Sequence, residues 1–77
     1  MKKNPNVNQQ LVGTENVGFI ILDQKEDKLA NTWVIGFNPK QKMFVTWFHN
    51  NEPGGYHFGY YIKDFKAAYV DFKQRGI

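Results

Sequence analysis

The residues with the clearest potential for chemistry flank one predicted turn. His49 and His57 lie on either side of residues 52–55, and imidazole and carboxylate groups are common zinc ligands and general bases. A tight turn at 52–55 places the two histidines on opposite faces of a sheet, and Glu52 is the one further ligand nearby. We therefore expect no metal site and no cofactor.

Side chains for covalent catalysis are also missing. The sequence contains no serine and no cysteine, and its threonines are all internal, so the commonest nucleophiles are absent. Gly54, Gly55 and Gly59 are not followed by a helix at the spacing of a phosphate-binding loop. Asp23, Glu26 and Asp27 lie in one charged segment, but it lacks the Asp/Asn/Gly alternation of a calcium loop. The sequence predicts no catalytic residue and no enzymatic activity.

Aromatic side chains dominate the segment around the same turn. Residues 43–62, MFVTWFHNNEPGGYHFGYYI, hold seven of the Phe, Trp and Tyr residues, which make up 17% of the chain. A domain of 77 residues without cysteine has neither disulfides nor thiolate-bound zinc to stabilise it, so buried rings must supply much of its core. This segment offers more rings than one core face requires.

The apolar runs and turns predict four strands. The runs are rich in β-branched and aromatic residues and are VGFIIL (17–22), TWVIGF (32–37), KMFVTWFH (42–49) and YHFGYYI (56–62). Asn38-Pro39 predicts a turn at 38–41, and the Pro-Gly pair in 52–55 is typical of a type II turn. The charged segment 23–31 is interpreted as a connection or the frayed end of a hairpin.

A helix follows the last predicted strand. Asp64 is a suitable N-cap for a helix over 65–75, and Gly76 suits its C-terminal end. Its apolar stripe consists of Phe65, Ala68, Tyr69 and Phe72. We predict an α+β domain over 13–77, a four-stranded antiparallel sheet in β-β-β-β-α order with one C-terminal helix packed on one face. Residues 1–12 are predicted to form a flexible N-terminal tail.

Strand alternation sorts the side chains onto two sheet faces. Turns centred on 38–41 and 52–55 set the register, which pairs Thr46 with Tyr61. The first face then collects Val34, Gly36, Met43, Val45, Trp47, Phe58, Tyr60 and Ile62. The second face collects Trp33, Ile35, Phe37, Lys42, Phe44, Thr46, Phe48, His57, Gly59 and Tyr61. We expect the helix on the first face, which is more aliphatic and ends where the helix begins.

An uncovered second face would be a contact surface, because large exposed apolar patches are rare on monomers. The predicted partner-binding residues are Trp33, Ile35, Phe37, Phe44, Phe48 and Tyr61. The expected partner is another protein or a second copy in a homodimer. Alternatively, the first strand and N-terminal segment fold across this face, or the sheet curls into a half-barrel.

Single-stranded nucleic acid is the alternative ligand. Aromatic rings stack on any base, and nearby lysines attract phosphates. The residues predicted for this alternative are Lys40, Lys42, Lys63, Trp33, Phe44 and Tyr61. The net charge of +3, with acidic residues interspersed, makes a weak attraction for phosphates, and the single arginine disfavours base-specific readout. We therefore favour the protein partner.

The longest purely apolar candidate, GFIIL at 18–22, is far too short to cross a membrane. We expect no membrane contact. The absence of cysteine is consistent with a reducing compartment, and the predicted location is the cytoplasm.

Overall fold

The computed structural model of this chain describes residues 10–52 and 54–76. Its elements are β1 (Glu15–Asn16), β2 (Phe19–Glu26), β3 (Thr32–Asn38), β4 (Met43–His49), β5 (Tyr56–Ile62) and α1 (Phe65–Gln74). Neighbouring strands are antiparallel in the order β1-β2-β3-β4-β5. The predicted α+β class is confirmed, with five strands in place of the predicted four.

The additional strand comes from a short hairpin at the start of the sheet. Asn16 of β1 pairs with Phe19 of β2, and both intervening residues have positive φ, 41° at Val17 and 88° at Gly18. Positive φ at both positions defines a type I′ turn, which a sequence reads most clearly from Asn-Gly. With valine at the first position, the sequence does not indicate this turn.

The second strand is also longer than predicted. Of the two alternatives for residues 23–31, a connection or the end of a hairpin, the second holds for residues 23–26, because β2 continues to Glu26 through a bulge after Ile21. Lys25, near the end of β2, contacts the helix. The Lys25 ammonium donates to the Lys73 carbonyl at 2.7 Å and lies 5.6 Å from the Phe72 ring centroid.

The β3–β4 register is shifted by two residues from the predicted one. Asn38 pairs with Met43, so Lys42 lies within the turn at φ 55° and is not on the second face. A shift of two residues preserves strand alternation. The predicted faces of the other β3 and β4 residues are therefore confirmed.

A bulge in β5 exchanges the sheet faces of the residues that follow it. Phe48 pairs with His57 and Thr46 with Tyr60, so β5 has one more residue than β4 between these pairs. Tyr60 and Ile62 therefore lie on the second face, and Tyr61 lies on the first, opposite to the prediction. Gly59 is required at this bulge, because a Cβ there would be 2.8 Å from the Trp47 indole nitrogen.

The helix packs on the second face, and the prediction of the first face was wrong. Ala68 and Phe72 of α1 form a buried cluster with Ile35, surrounded by Trp33, Phe44, Ile62 and Tyr69. The bulge explains the error, because it moves Ile62 to the second face just before the helix begins. Ala68, Tyr69 and Phe72 of the predicted apolar stripe pack against the sheet as expected. Phe65, the fourth residue of that stripe, is 52% exposed.

The first face is covered by the curl of the sheet. Leu11, Phe19, Ile21, Val34, Val45 and Trp47 form its buried cluster. The Phe19 ring meets Trp47 edge to face with centroids 5.5 Å apart. The alternative of a curled sheet with a covering N-terminal segment thus occurs, but on the first face.

The predicted tail 1–12 lies partly outside the described residues, since these begin at residue 10. Leu11 is 7% exposed, and its amide donates to the Gln24 side-chain oxygen at 2.6 Å. This residue belongs to the packed domain.

The predicted turn at 52–55 and the predicted helix N-cap are present. Gly54 has φ 70°, and the Gly55 amide donates to the Glu52 carbonyl at 2.9 Å, as in a type II turn. Pro53 of that turn is outside the described residues. Asp64 caps the helix, because its carboxylate accepts from the Ala67 amide at 2.8 Å.

Val17→Asn should raise the free energy of unfolding by about 0.5–1 kcal/mol, because a β-branched residue is strained at positive φ and Asn-Gly favours this turn. Val70→Asn is the control, since Val70 is also exposed but has a helical backbone, and asparagine there should not stabilise. Urea unfolding measures both. An equal or lower stability of Val17→Asn would contradict the turn geometry.

Candidate interaction surface

The outer edge of β5 is the most exposed apolar part of the sheet. β5 is the last strand in the sheet order, and within residues 10–52 and 54–76 no strand pairs with its outer side. Five consecutive residues, 57–61, are exposed. We define the β5 aromatic surface as these residues together with the half-buried Phe48, whose ring centroid lies 6.0 Å from that of Phe58.

Phe58 is the least expected residue on this surface. Its side chain is 73% exposed and its φ is 59°, in the left-handed region. That conformation costs a residue with a Cβ about 1–2 kcal/mol, and glycine or asparagine adopts it more readily. Neither backbone preference nor burial in the monomer favours phenylalanine here.

The directions of the β5 backbone groups follow from its pairing with β4. The Asn50 amide donates to the Gly55 carbonyl at 3.0 Å, which makes this pair hydrogen-bonded. Hydrogen-bonded pairs alternate with non-hydrogen-bonded ones, so His57 and Tyr60 direct their backbone groups towards β4. Tyr56 and Tyr61 consequently direct their N–H and C=O groups outwards.

The edge lacks the charges that usually protect such strands. From Tyr56 to Ile62 there is no lysine, arginine, aspartate, glutamate or proline, and Lys63 follows the strand. Natural edge strands commonly carry charged residues or proline, which discourage pairing with other chains. The bulge is the one protective feature present, and it leaves the Phe58 ring in solvent.

The predicted partner-binding residues are divided by the fold. Trp33, Ile35, Phe37, Phe44 and Phe48 share the second face, whereas Tyr61 is on the first face. Ile35 is fully buried beneath α1, and Trp33 and Phe44 are half-buried beside it. Phe48 and Tyr61 are the two of the six that belong to the β5 aromatic surface.

Trp33 is held by contacts at the end of the helix. Its indole N–H donates to Asp27 at 3.1 Å, and the Arg75 guanidinium lies 5.4 Å from its ring centroid. The indole hydrogen bond is the main cause that lowers the pKa of Asp27, supported by the Asn31 and Leu29 amides against partial desolvation. These contacts fix the β2–β3 connection against the helix.

A polar network beneath the helix had not been anticipated from the sequence. The Thr46 hydroxyl, which is fully buried, donates to Asp71 at 2.6 Å, and Arg75 donates to the same carboxylate oxygen at 3.1 Å. This bonding satisfies the one hydroxyl in the middle of the second face. In the sequence, this network could have been inferred from a threonine within an otherwise apolar strand face, together with an Asp and an Arg four residues apart in the predicted helix.

The three lysines predicted for nucleic-acid binding lie at one end of the sheet. Lys40 and Lys42 are in the β3–β4 turn, and Lys63 follows β5. Phe44 is at the same end, because it pairs with Phe37 and with Ile62, and its ring is 5.2 Å from that of Phe65. Of the other two predicted residues, Trp33 is at the opposite end and Tyr61 is on the other face.

The two histidines lie on opposite faces, as predicted. His49 is 1% exposed, and its Nδ1 accepts from the Asn51 amide at 3.1 Å, which leaves the hydrogen of the neutral ring on Nε2. Burial is the main cause that lowers the pKa of His49. His57 is exposed on the second face beside Phe58.

Comparisons with models of known protein families, with curated proteins and with solved structures gave no match. Among residues 10–52 and 54–76, no helix is long and apolar enough to cross a membrane. The same residues contain no group of three His, Asp or Glu side chains placed to hold a metal ion. The chemistry of the β5 aromatic surface is therefore the basis for a proposed function.

The buried His49 should make the fold less stable in acid. The unfolded imidazole titrates near 6.5 and the folded one lower, so below pH 6.5 the unfolded state binds more protons. The free energy of unfolding should therefore fall as the pH decreases through this value. Melting temperatures between pH 7.5 and pH 5.5, about one unit on either side, measure the effect.

His49→Asn should flatten this pH dependence, because asparagine can accept the Asn51 hydrogen bond without titrating. His57→Asn is the companion variant: it removes only the lesser effect of the His57 charge on His49, so most of the wild-type dependence should remain. If the melting temperatures of wild type and His49→Asn fell equally with decreasing pH, His49 would not be the cause of the loss of stability in acid.

Proposed function

We propose that this protein is a small binding protein without enzymatic activity that contacts other protein chains, its own copies included, through the β5 aromatic surface. The observation that supports the proposal is the run of five exposed residues on an edge strand, three of them aromatic. The exposed fractions of those three are 73% at Phe58, 53% at Tyr60 and 49% at Tyr61.

The chemistry of this surface favours a protein as the ligand. An open edge offers backbone donors and acceptors to an added strand, and its side chains supply apolar contacts. No lysine or arginine lies within β5 to attract phosphates. Tyrosine and phenylalanine are also among the residues enriched at protein interfaces.

The strain at Phe58 supports the same proposal. Phe58 lowers the stability of the monomer and exposes its ring to solvent, so the benefit of a phenylalanine at this position must come from a contact with another molecule. We therefore assign Phe58 the central position in the contact. The proposed location is the cytoplasm, on the absence of cysteine.

Phe58→Asn should separate association from stability. Asparagine tolerates positive φ, so the isolated monomer should be as stable as wild type or more stable by up to about 1 kcal/mol. Loss of the ring should weaken self-association at least about tenfold, which corresponds to 1.4 kcal/mol. Sedimentation equilibrium over a range of concentrations measures the association.

Leu29→Asn is the matched control, because Leu29 is 81% exposed in the β2–β3 connection, away from β5. It should leave association unchanged. A wild-type chain that stays monomeric at millimolar concentration would overturn self-association. Equal association of wild type and Phe58→Asn would overturn the role of the β5 aromatic surface.

The lysine end of the sheet favours a second candidate function, single-stranded nucleic-acid binding. Lys40, Lys42 and Lys63 are exposed beside Phe44 and the half-exposed Phe65, a combination of charge and rings that suits stacked bases. This surface is separate from the exposed edge around Phe58.

An oligothymidine titration tests the second candidate. Binding should weaken with salt at a log–log slope of about −0.7 for each phosphate contacted. Lys63→Gln should make that slope less steep, whereas Lys28→Gln, in the β2–β3 connection at the other end, should not. Absence of binding at low salt would exclude this candidate.

A further inference from the structure

We infer that two copies of this chain pair their β5 strands antiparallel about a two-fold axis, with Tyr60 opposite His57 of the second copy and Tyr61 opposite Tyr56 of the second copy. The two sheets would then form one continuous sheet of ten strands, five from each copy. This inference rests on the proposed self-association and adds its geometry.

The second copy is the occupant that this edge fits best. Two antiparallel copies of one strand meet the requirement of two-fold symmetry, since each residue meets its partner twice. No formally charged residue lies between Tyr56 and Ile62, so pairing the strand with itself brings no like charges together. The net charge of +3 gives a weak repulsion between copies, and the uncharged edge adds no close repulsion to it.

The inferred register is compatible with the bulge. Residues directly opposite each other in a sheet must point to the same face. Across the bulge, His57 and Tyr60 are both on the second face, while Tyr56 and Tyr61 are both on the first. The inferred register therefore matches faces on both sides of the axis.

The same register also matches backbone directions. Tyr56 and Tyr61 direct their N–H and C=O groups outwards, so the Tyr61–Tyr56 pair can exchange two hydrogen bonds on each side of the axis. His57 and Tyr60 direct theirs towards β4 and form the non-hydrogen-bonded pair between the copies. Side-chain face and backbone direction alternate together along a strand, and both are matched in this register.

The bulge residues meet at the axis in this arrangement. Phe58 of each copy lies opposite Gly59 of the other, which has no side chain to obstruct the exposed ring. A shift of the pairing by two residues would place Phe58 opposite Tyr61 and oppose a bulge to regular strand. The inferred register avoids that conflict and gives the strained Phe58 a contact.

Cysteine cross-linking tests the register directly, because the natural chain contains no cysteine. Non-hydrogen-bonded pairs have Cα atoms about 4.5 Å apart, within the range for a disulfide. We would oxidise an equal mixture of the Tyr60→Cys and His57→Cys proteins and measure covalent dimers by mass spectrometry. Both positions are exposed, so both variants should fold.

The mixed disulfide should far exceed the half of all dimers that random pairing gives. The control mixture of Tyr60→Cys with Leu29→Cys should give no excess of the mixed species. In wild-type protein, a mixture of labelled and unlabelled chains should show intermolecular nuclear Overhauser effects between Tyr60 and His57.

The outcomes separate the register from the proposed function. A wild-type dimer without excess mixed disulfide and without Tyr60–His57 contacts would overturn the register and leave self-association standing. A wild-type chain that is monomeric at every concentration would overturn both.

Discussion

The structure depends on one constraint, that the central strands carry apolar side chains on both faces and both faces must be kept from water. On the second face Ile35 is fully buried under the helix, and on the first face Val34 and Val45 are fully buried under the curl of the sheet. A helix of ten residues is about 15 Å long and covers one face only. The curl must cover the other, and β5 remains at the open edge.

Local chemistry made much of this fold predictable. The capping carboxylate of Asp64, the Pro-Gly turn and the buried stripe at Ala68 and Phe72 act through neighbours in sequence, and the structure has them. Alternation in β3 and β4 also gave the right faces, because a register error of two residues leaves parity unchanged. The bulge at Phe58 was not predictable in the same way, since the aromatic run of β5 reads equally well in either phase. That one residue moved the helix to the other face.

The contact surface was predictable only in part. Phe48 and Tyr61 were predicted to share one face; both belong to the β5 aromatic surface, but they lie on opposite faces of the sheet. Phe58 was predicted to lie on the face covered by the helix. Its exposure follows from the strand order and from the bulge, and the composition of the sequence reveals neither of these. The adjoining Phe58-Gly59 pair was the available signal, since glycine within a strand often marks a bulge.

In the proposed assembly, the outer edge of β5 is open in one chain and is closed by a second chain. The decisive measurement is hydrogen exchange of the Tyr61 amide, followed by nuclear magnetic resonance as a function of protein concentration. We expect fast exchange at high dilution and strong protection where the chains associate, while the Tyr60 amide, directed towards β4, is protected throughout. A Tyr61 amide that is protected at the lowest concentration, or unprotected at the highest, would contradict the proposed assembly.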